Sequence, residues 1–373
     1  MGRETMKKLK ILGVLIVFLS LNSCVEQIEF ELEKLERERL IVSGILTNLN
    51  EPQVVFLSET TSKARKPLLA DEENRIFTLN DLPRPLQGAR VTLVDASQGR
   101  PWVYQETEPG KYELSDYLGT GSNSELYLEI RVGDRVYRSR PQKIPEVIGS
   151  DELSFSFERT RLKDNPDAAQ VLIKTAVTLP DQVGDYYLRW AVDEAYFWDL
   201  TFFPNPFNTP PPPCIVFGFP DPERITLING DLLNKPGGKS TQIVAKRLVD
   251  QSFLSRHYFT VRQLSISKNT YEYWRRVREL VNNTGSVFDS PPASIQGNLY
   301  NVNNPDEVVL GYFEVARAKV SRIYTTFADV PFFLGKSCEY IPSKRLDQYL
   351  PTCLNCNAFP NSQMEYPKWW FDD

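Results

Sequence analysis

The chain has 373 residues, with 43 Lys and Arg against 48 Asp and Glu, a formal net charge of -5. Apolar residues make up 41% of the chain, which suggests about two domains with sizeable cores and excludes disorder of the whole chain. The mild acidity argues against a nucleic-acid-binding protein. The single histidine, His257, excludes metal sites built from several histidines and leaves only one candidate base for Ser-His-Asp or Cys-His chemistry.

The first residues have the pattern of a secretory signal followed by a lipidation site. A basic stretch at 6–10 precedes an apolar run, Ile11 to Leu19, which is shorter than the roughly 20 residues that span a bilayer. The residues that follow, Leu21 to Cys24, resemble a bacterial lipobox, although Asn22 stands where a small residue is usual. We expect residues 1–23 to be a lipoprotein signal peptide and Cys24 to be lipidated. An ordinary cleaved signal and an uncleaved anchor are the alternatives.

Residues 24–38 form an acidic stretch that we expect to be a tether. It contains four glutamates within eight residues, Glu26, Glu29, Glu31 and Glu33. An acidic stretch directly after the lipidated cysteine resembles the surface-export signal of Bacteroidota-type lipoproteins. The resemblance implies an outer-membrane lipoprotein exposed on the cell surface. A solvated stalk or one short helix is the alternative.

Residues 39–140 are expected to form an N-terminal immunoglobulin-like β domain. Short apolar runs alternate with turn residues, as in a β-sandwich, and Ala89 to Val94 alternates with a period of two. The dipeptide Gly133-Asp134 between two β-rich runs predicts a hairpin. Two prolines in residues 141–149 indicate a stiff linker.

Residues 150–335 are expected to form a second β-sandwich domain with one helix near 270–282. Tyr271, Trp274 and Val277 repeat at helical spacing after the capping side chain of Ser267. An aromatic stripe of this kind is typical of core packing against a sheet, with a ligand platform as the alternative. The fold class is therefore mainly β, with two sandwich-like domains.

The remaining residues, 336–373, are expected to be a cysteine-containing C-terminal tail. An even number of cysteines after Cys24 in an exported protein favours two disulfides, with three connectivities open. The four are Cys214, Cys338, Cys353 and Cys356. The last two form a C-x-x-C motif, for which a zinc site and a redox site are alternatives.

Two glycine motifs identify a family. Pro291 to Leu299 contains Gly297-Asn298, and Val309 to Phe313 contains Gly311-Tyr312-Phe313. Together with the run from Leu40 to Asn48, the late C-x-x-C and the ending Pro367-Lys368-Trp369, they resemble the domain of unknown function 4249 family of Bacteroidota outer-membrane lipoproteins. The resemblance implies a cell-envelope lipoprotein, often encoded beside a TonB-dependent outer-membrane receptor, and it carries over no catalytic residue. Read physically, both glycines are expected to sit where a side chain would meet crossing backbone.

Candidate chemistry is sparse. His257 has no accompanying nucleophile motif, and we expect a partly exposed histidine at the start of a strand. Asp193 and Glu194 lie in an aromatic-rich segment, and this is the nearest feature to a sugar-binding or paired-carboxylate site. The aromatic residues of this segment are a candidate ligand platform, with packing in the core of a sandwich as the alternative. They are Trp190, Tyr196 and Trp198.

Three functions follow from these observations. We expect foremost a non-catalytic accessory lipoprotein that docks on an outer-membrane β-barrel partner of the TonB-dependent receptor type. A surface module that binds a glycan or peptide is the second hypothesis, and a carboxylate-based hydrolase is the third. No cofactor, resident metal or nucleic-acid partner is expected.

Overall fold

Strands dominate the computed structural model of the protein, which describes residues 38–60, 84–115, 124–146, 149, 151–161, 168–180, 186–200, 212–232, 237–282, 295–336, 338–339 and 341–372. The expected signal peptide, Cys24 and nearly all of the tether lie outside these residues. The strands are β1 (Leu40–Leu46), β2 (Gln53–Glu59), β3 (Arg84–Pro85), β4 (Arg90–Asp95), β5 (Arg100–Val103), β6 (Gln105–Glu108), β7 (Lys111–Leu114), β8 (Glu125–Val132), β9 (Arg135–Ser139), β10 (Gln142–Lys143), β11 (Asp151–Arg159), β12 (Ala169–Thr178), β13 (Tyr187–Phe197), β14 (Ile215–Gly218), β15 (Thr226–Asn229), β16 (Lys239–Leu248), β17 (His257–Ile266), β18 (Leu299–Asn301), β19 (Leu310–Val315), β20 (Arg317–Thr325) and β21 (Ser362–Gln363). The helices are α1 (Lys268–Asn282) and α2 (Pro351–Leu354), with short 3-10 turns at Gly230–Leu232, Gln251–Leu254, Phe327–Asp329, Leu346–Gln348 and Cys356–Ala358.

Two sheets form a first sandwich around one core. One sheet has the strand order β19-β1-β2-β7-β6 with β3 on β2, and the other has β18-β9-β8-β4-β5 with β10 on β8. Leu126, Leu128 and Ile130 on β8 are fully buried at every second position, because alternate side chains of a strand point to the same face. The predicted hairpin is present between β8 and β9, with Gly133 at a φ of +55°.

Two further sheets form a second sandwich. The three strands β11-β12-β16 face a larger sheet with the order β20-β17-β13-β14-β21 and β15 on β13. Val171 and Ile173 from the smaller sheet share a core with Leu188, Phe259 and Val261 from the larger one. The mainly β, sandwich-like fold class is confirmed.

The expected boundaries at 39–140 and 150–335 do not separate these sheets. Strands β18 and β19 belong to the second range, yet β18 pairs with β9 and β19 runs parallel to β1 in the first sandwich. In the expected linker, Gln142 and Lys143 pair with β8. The chain from Arg39 to Asp373 therefore forms one compact unit. Parallel pairing of strands some 270 residues apart leaves no local sequence pattern, since β1 and β19 are non-consecutive.

The helix predicted near 270–282 is present as α1 and ties the two sandwiches together. Ser267 caps it, because its Oγ accepts a hydrogen bond from the Thr270 amide at 3.2 Å. Trp274 of the helix donates through Nε1 to the Glu314 carboxylate of β19 at 2.8 Å. Arg189 of β13 binds both oxygens of that carboxylate and lies over the Trp274 ring. Glu314 of the first sandwich thus contacts Arg189 of the second sandwich and Trp274 of the helix.

Among the described residues, no helix is long and apolar enough to cross a membrane.

Candidate functional site

The two glycine motifs form a seam between the chain segments 295–298 and 310–315. A Cβ on Gly297 would lie 1.7 Å from the carbonyl oxygen of Gly311, and a Cβ on Gly311 would lie 1.9 Å from that of Val42. The Asn298 side chain both donates to the Phe313 carbonyl at 2.7 Å and accepts from the Phe313 amide at 3.0 Å. The motif residues therefore join strands through close backbone contact.

The only histidine of the chain lies at the centre of a buried polar network. His257 Nε2 lies 3.0 Å from Glu194 Oε2, and His257 Nδ1 lies 3.2 Å from Ser252 Oγ. Arg247 binds both Glu194 oxygens through Nε and reaches Asp250 through Nη2 at 3.0 Å. The rings of Tyr196 and Phe253 stack on the imidazole, with centroid distances of 5.0 and 4.1 Å. His257 is 0% exposed, so the expectation of a partly exposed histidine is wrong.

The connectivity Ser252–His257–Glu194 has the order of a hydrolase triad, but its position does not suit one. Ser252 is 1% exposed and His257 is fully buried, so neither side chain reaches solvent, whereas a nucleophile must reach substrate. Burial alone would raise the pKa of Glu194, but the Arg247 charge and the His257 hydrogen bond outweigh it and lower that pKa. The network thus holds a carboxylate ionised inside the second sandwich.

The two neighbouring carboxylates at 193 and 194 face opposite sides of β13. Asp193 forms an ion pair with Arg262, whereas Glu194 points to His257 and Arg247. Successive residues of a strand alternate between faces, so this separation follows from their adjacency. The structure therefore does not bring these two acids together as an acid and a base would require.

The three aromatic residues of the expected ligand platform do not share an exposed face. Trp190 is 3% exposed in the second core and donates its indole N–H to Asp151 at 3.1 Å. Tyr196 is 5% exposed and stacks on His257. Trp198 is half-buried and donates to the Thr352 carbonyl at 3.0 Å. Of the three, Trp198 lines a cavity.

The four described cysteines form two disulfides, as predicted. Cys214 pairs with Cys356 over a separation of 142 residues, and Cys338 pairs with Cys353 over a separation of 15. The C-x-x-C motif therefore serves two different bridges. Among the described residues, no three His, Cys, Asp or Glu side chains are placed to hold a metal ion.

An open cavity of 530 Å³ lies where three distant segments meet. The first follows the end of β13 at 197–199, the second is the turn at 251–255, and the third runs from 327 to 339. Its apolar wall consists of Phe197, Trp198, Leu254, Phe327 and Leu334, besides the half-cystine Cys338. Its polar groups belong to Asp199, Gln251, Ser255, Lys336 and Glu339.

The buried network and one disulfide hold the walls of this cavity. Asp250 Oδ1 accepts a hydrogen bond from the Ser252 amide, and the Ser252 hydroxyl contacts His257. These two contacts hold the turn at 251–255 against the buried network. Cys338 is bonded to Cys353, and Trp198 is bonded to the adjacent Thr352 carbonyl. Sequence reasoning found Trp198 but missed the rest of the cavity, because its segments come together only through tertiary packing.

The chain belongs to a family of undetermined activity. The family model described as a domain of unknown function (DUF4249) matches residues 25–322, which is most of the chain. This confirms the family resemblance seen in the glycine motifs. A search of curated proteins finds no significant match.

Proposed function

We propose that the protein is a non-catalytic lipoprotein of a Bacteroidota-type cell envelope. In this proposal Cys24 carries the lipid, and the chain stands on the outer membrane, exposed at the cell surface by its acidic tether. It acts as an accessory or docking subunit of an outer-membrane β-barrel partner of the TonB-dependent receptor type. The lipobox-like sequence before Cys24 supports the anchor. The partner is supported by what the family resemblance implies, a TonB-dependent receptor encoded beside such proteins.

The distribution of exposed apolar side chains carries the docking part of the proposal. In the part of the chain that the structure describes, nine of the seventeen exposed large apolar side chains lie between residues 327 and 371. Phe333 is 96% exposed, the largest fraction among them. The nine are Phe327, Phe333, Ile341, Leu346, Leu350, Leu354, Met364, Tyr366 and Phe371. A segment that exposes many large apolar side chains is a candidate for a surface that another protein covers.

The disulfides make this C-terminal segment a firm docking surface. Both bridges end in it, at 338, 353 and 356, and one reaches back to Cys214 beside the second sandwich. Tyr258 of β17 also donates to the Trp370 carbonyl at 2.5 Å. A surface held in place loses less conformational entropy on binding than a mobile one.

The burial of the only histidine supports the non-catalytic part. Its two ring nitrogens are committed to Ser252 and Glu194 inside the second sandwich. Arg247 pairs with Glu194 and Asp250, and Asp250 accepts a hydrogen bond from the Ser252 amide. These contacts stabilise the turn at 251–255.

Two experiments test the proposal. Metabolic labelling with a fatty acid should mark the wild type and leave Cys24→Ala unlabelled; equal labelling of both would contradict the anchor. Crosslinking followed by native purification from outer membranes should recover a β-barrel protein. Recovery of a monomer that turns over a glycan or peptide would contradict the non-catalytic role.

A further inference from the structure

A second pocket, of 330 Å³, lies between helix α1 and the first sandwich, where the two glycine motifs meet. Its lining comes from residues 140–142, 269–276 and 296–298 and from Tyr312. The Tyr273 ring stacks on the Tyr312 ring with a centroid distance of 4.5 Å, and the Tyr312 hydroxyl lies 3.2 Å from the Thr270 hydroxyl. These contacts hold the floor of the pocket in one arrangement, as ligand recognition requires.

The two buried amide side chains of the lining are already hydrogen-bonded within the protein. Asn298 Nδ2 and Gln142 Nε2 both donate to the Phe313 carbonyl, at 2.7 and 2.8 Å. Asn298 Oδ1 accepts from the Phe313 amide at 3.0 Å, and Gln142 Oε1 accepts from the Thr270 hydroxyl at 3.3 Å. These amides therefore shape the pocket and leave the choice of ligand to its charged side chains.

The charged side chains give the pocket a surplus of positive charge. Arg140 and Arg276 belong to the lining and are exposed, and neither has an acidic partner in the part of the chain that the structure describes. Glu272 also belongs to the lining, but its Oε2 is held by Arg275 through Nε at 3.0 Å and Nη2 at 2.9 Å. The pocket therefore presents two guanidinium groups whose charge no described acid neutralises.

Two such guanidinium groups select an oxyanion. A guanidinium carries its donors in a planar fork that matches the oxygens of a carboxylate or a phosphate. A neutral ligand would leave both charges of the pocket unused, and a cation would be repelled by them. The net charge of the chain is -5, so the attraction for an anion comes from this local arrangement and not from the protein as a whole.

The point at which the chain enters the fold favours one source of that oxyanion. Strand β1 runs parallel to β19 with Ser43 opposite Tyr312, and it begins three residues earlier at Leu40. At about 3.3 Å per residue, its start lies about 10 Å along the strand from the pocket floor. The fourteen residues from Val25 to Glu38 can span at most about 50 Å. A lipid on Cys24 would therefore keep this pocket within reach of the phosphate groups on the membrane surface.

We infer that this pocket binds the phosphate group of a lipid headgroup in the membrane that carries the anchor. Arg140 and Arg276 bind the phosphate oxygens. The inference rests on the lipid anchor of the proposed function and adds a second contact with the membrane, on a surface other than the C-terminal segment. A second contact restricts the orientations that a tethered fold can take.

Vesicle sedimentation of the protein without its lipid tests the inference. The protein is the chain that signal removal leaves, residues 24–373, with Cys24→Ala. The vesicles contain phosphatidylglycerol and phosphatidylcholine in equal parts, with pure phosphatidylcholine as the reference. We expect the protein to bind the anionic vesicles. Each basic side chain at an anionic surface strengthens binding by about fivefold, so Arg140→Gln with Arg276→Gln should weaken it by about 25-fold.

A matched pair of arginines serves as the control. Arg90 and Arg161 are exposed, lie outside the pocket lining and have no acidic partner among the described residues. Replacing both by glutamine removes the same charge and should weaken binding by about threefold or less. Circular dichroism checks that both double variants are folded.

A comparison of two salts separates phosphate recognition from attraction by charge alone. Sodium phosphate should release the protein at a lower ionic strength than sodium chloride, because free phosphate competes for the same guanidinium groups. No binding of the parent chain, equal losses in the two double variants, or equal release by the two salts would each overturn the inference. The protein carries no lipid and no barrel protein is present, so these outcomes are distinct from a failure of the anchor or of docking.

Discussion

Replacing Gly311 with alanine should destabilise the protein by about 2–4 kcal/mol. Gly311 has a φ of +85°, where an L-residue loses roughly 1–2 kcal/mol. Its new Cβ would also lie 1.9 Å from the Val42 carbonyl oxygen, whereas real Cβ contacts stay beyond 3.0 Å. Strand β1 or β19 must therefore move by about 1.1 Å, the difference between these distances. Loss of one or two ladder hydrogen bonds at about 1 kcal/mol each supplies the rest.

Two other glycines separate the contributions of conformation and contact. Gly133 has a φ of +55°, and nothing lies within 4 Å of the position that a Cβ would take there. Gly133→Ala should therefore cost only the conformational part, about 1–2 kcal/mol. Gly297 has no such φ, and its Cβ would lie 1.7 Å from the Gly311 carbonyl oxygen, so Gly297→Ala isolates the contact.

Urea unfolding of the three variants, followed by tryptophan fluorescence with the slope compared between variants, measures these losses. The expected order of destabilisation places Gly311→Ala and Gly297→Ala above Gly133→Ala. If Gly311→Ala lost no more stability than Gly133→Ala, the close approach of β19 to β1 would be refuted. If Gly297→Ala lost no more stability than Gly133→Ala, the seam between the glycine motifs would be refuted in the same way.

Two further predictions concern the disulfides and the buried network. Thiol counting under denaturation should find no free thiol among the four cysteines after Cys24, and reactive thiols in the wild type would contradict the pairing. Replacing Cys338 and Cys353 together by serine should lower the free energy of unfolding by about 3 kcal/mol, as expected for a loop of 15 residues. Glu194→Gln should cost about 3 kcal/mol near neutral pH, the lower end of the range for breaking a buried ion pair, because Arg247 loses Glu194 but keeps Asp250. The folded pKa of Glu194 is lowered, so the unfolded state binds more protons in acid and this stabilisation is lost as pH falls through the folded pKa. The difference between wild type and variant should therefore shrink in acid, and a pH-independent difference would contradict the ion pair.

Local patterns allowed the fold class, the helix and the pairing state of the cysteines to be predicted. The hairpin at Gly133 and the helix capped by Ser267 depend on residues next to one another, so their signals are visible in one segment. The parallel pairing of β1 with β19 is not visible in one segment, because the two strands are remote in sequence and neither has a pattern that distinguishes it from other strands. That is why the expected domain boundaries divided the first sandwich.

The candidate site was harder to predict for the same reason. Trp190 and Tyr196 lie on β13 and Trp198 follows its end, but different parts of the protein cover them: the second core covers Trp190, the polar network contacts Tyr196, and the C-terminal segment contacts Trp198. The burial of His257 depends on Phe253 and Glu194, which no local pattern links to it. The disulfide connectivity likewise required the tertiary structure.

Affinity purification in mild detergent tests the docking role most directly. The comparison uses wild type, the double variant Phe333→Ser with Ile341→Ser, and the control Leu232→Ser, whose side chain is 73% exposed outside the C-terminal segment. A stable interface should bury about 1,600 Å². We predict that one β-barrel protein co-purifies with wild type and control and is lost from the double variant. Elution of the wild type without a barrel protein would contradict the account.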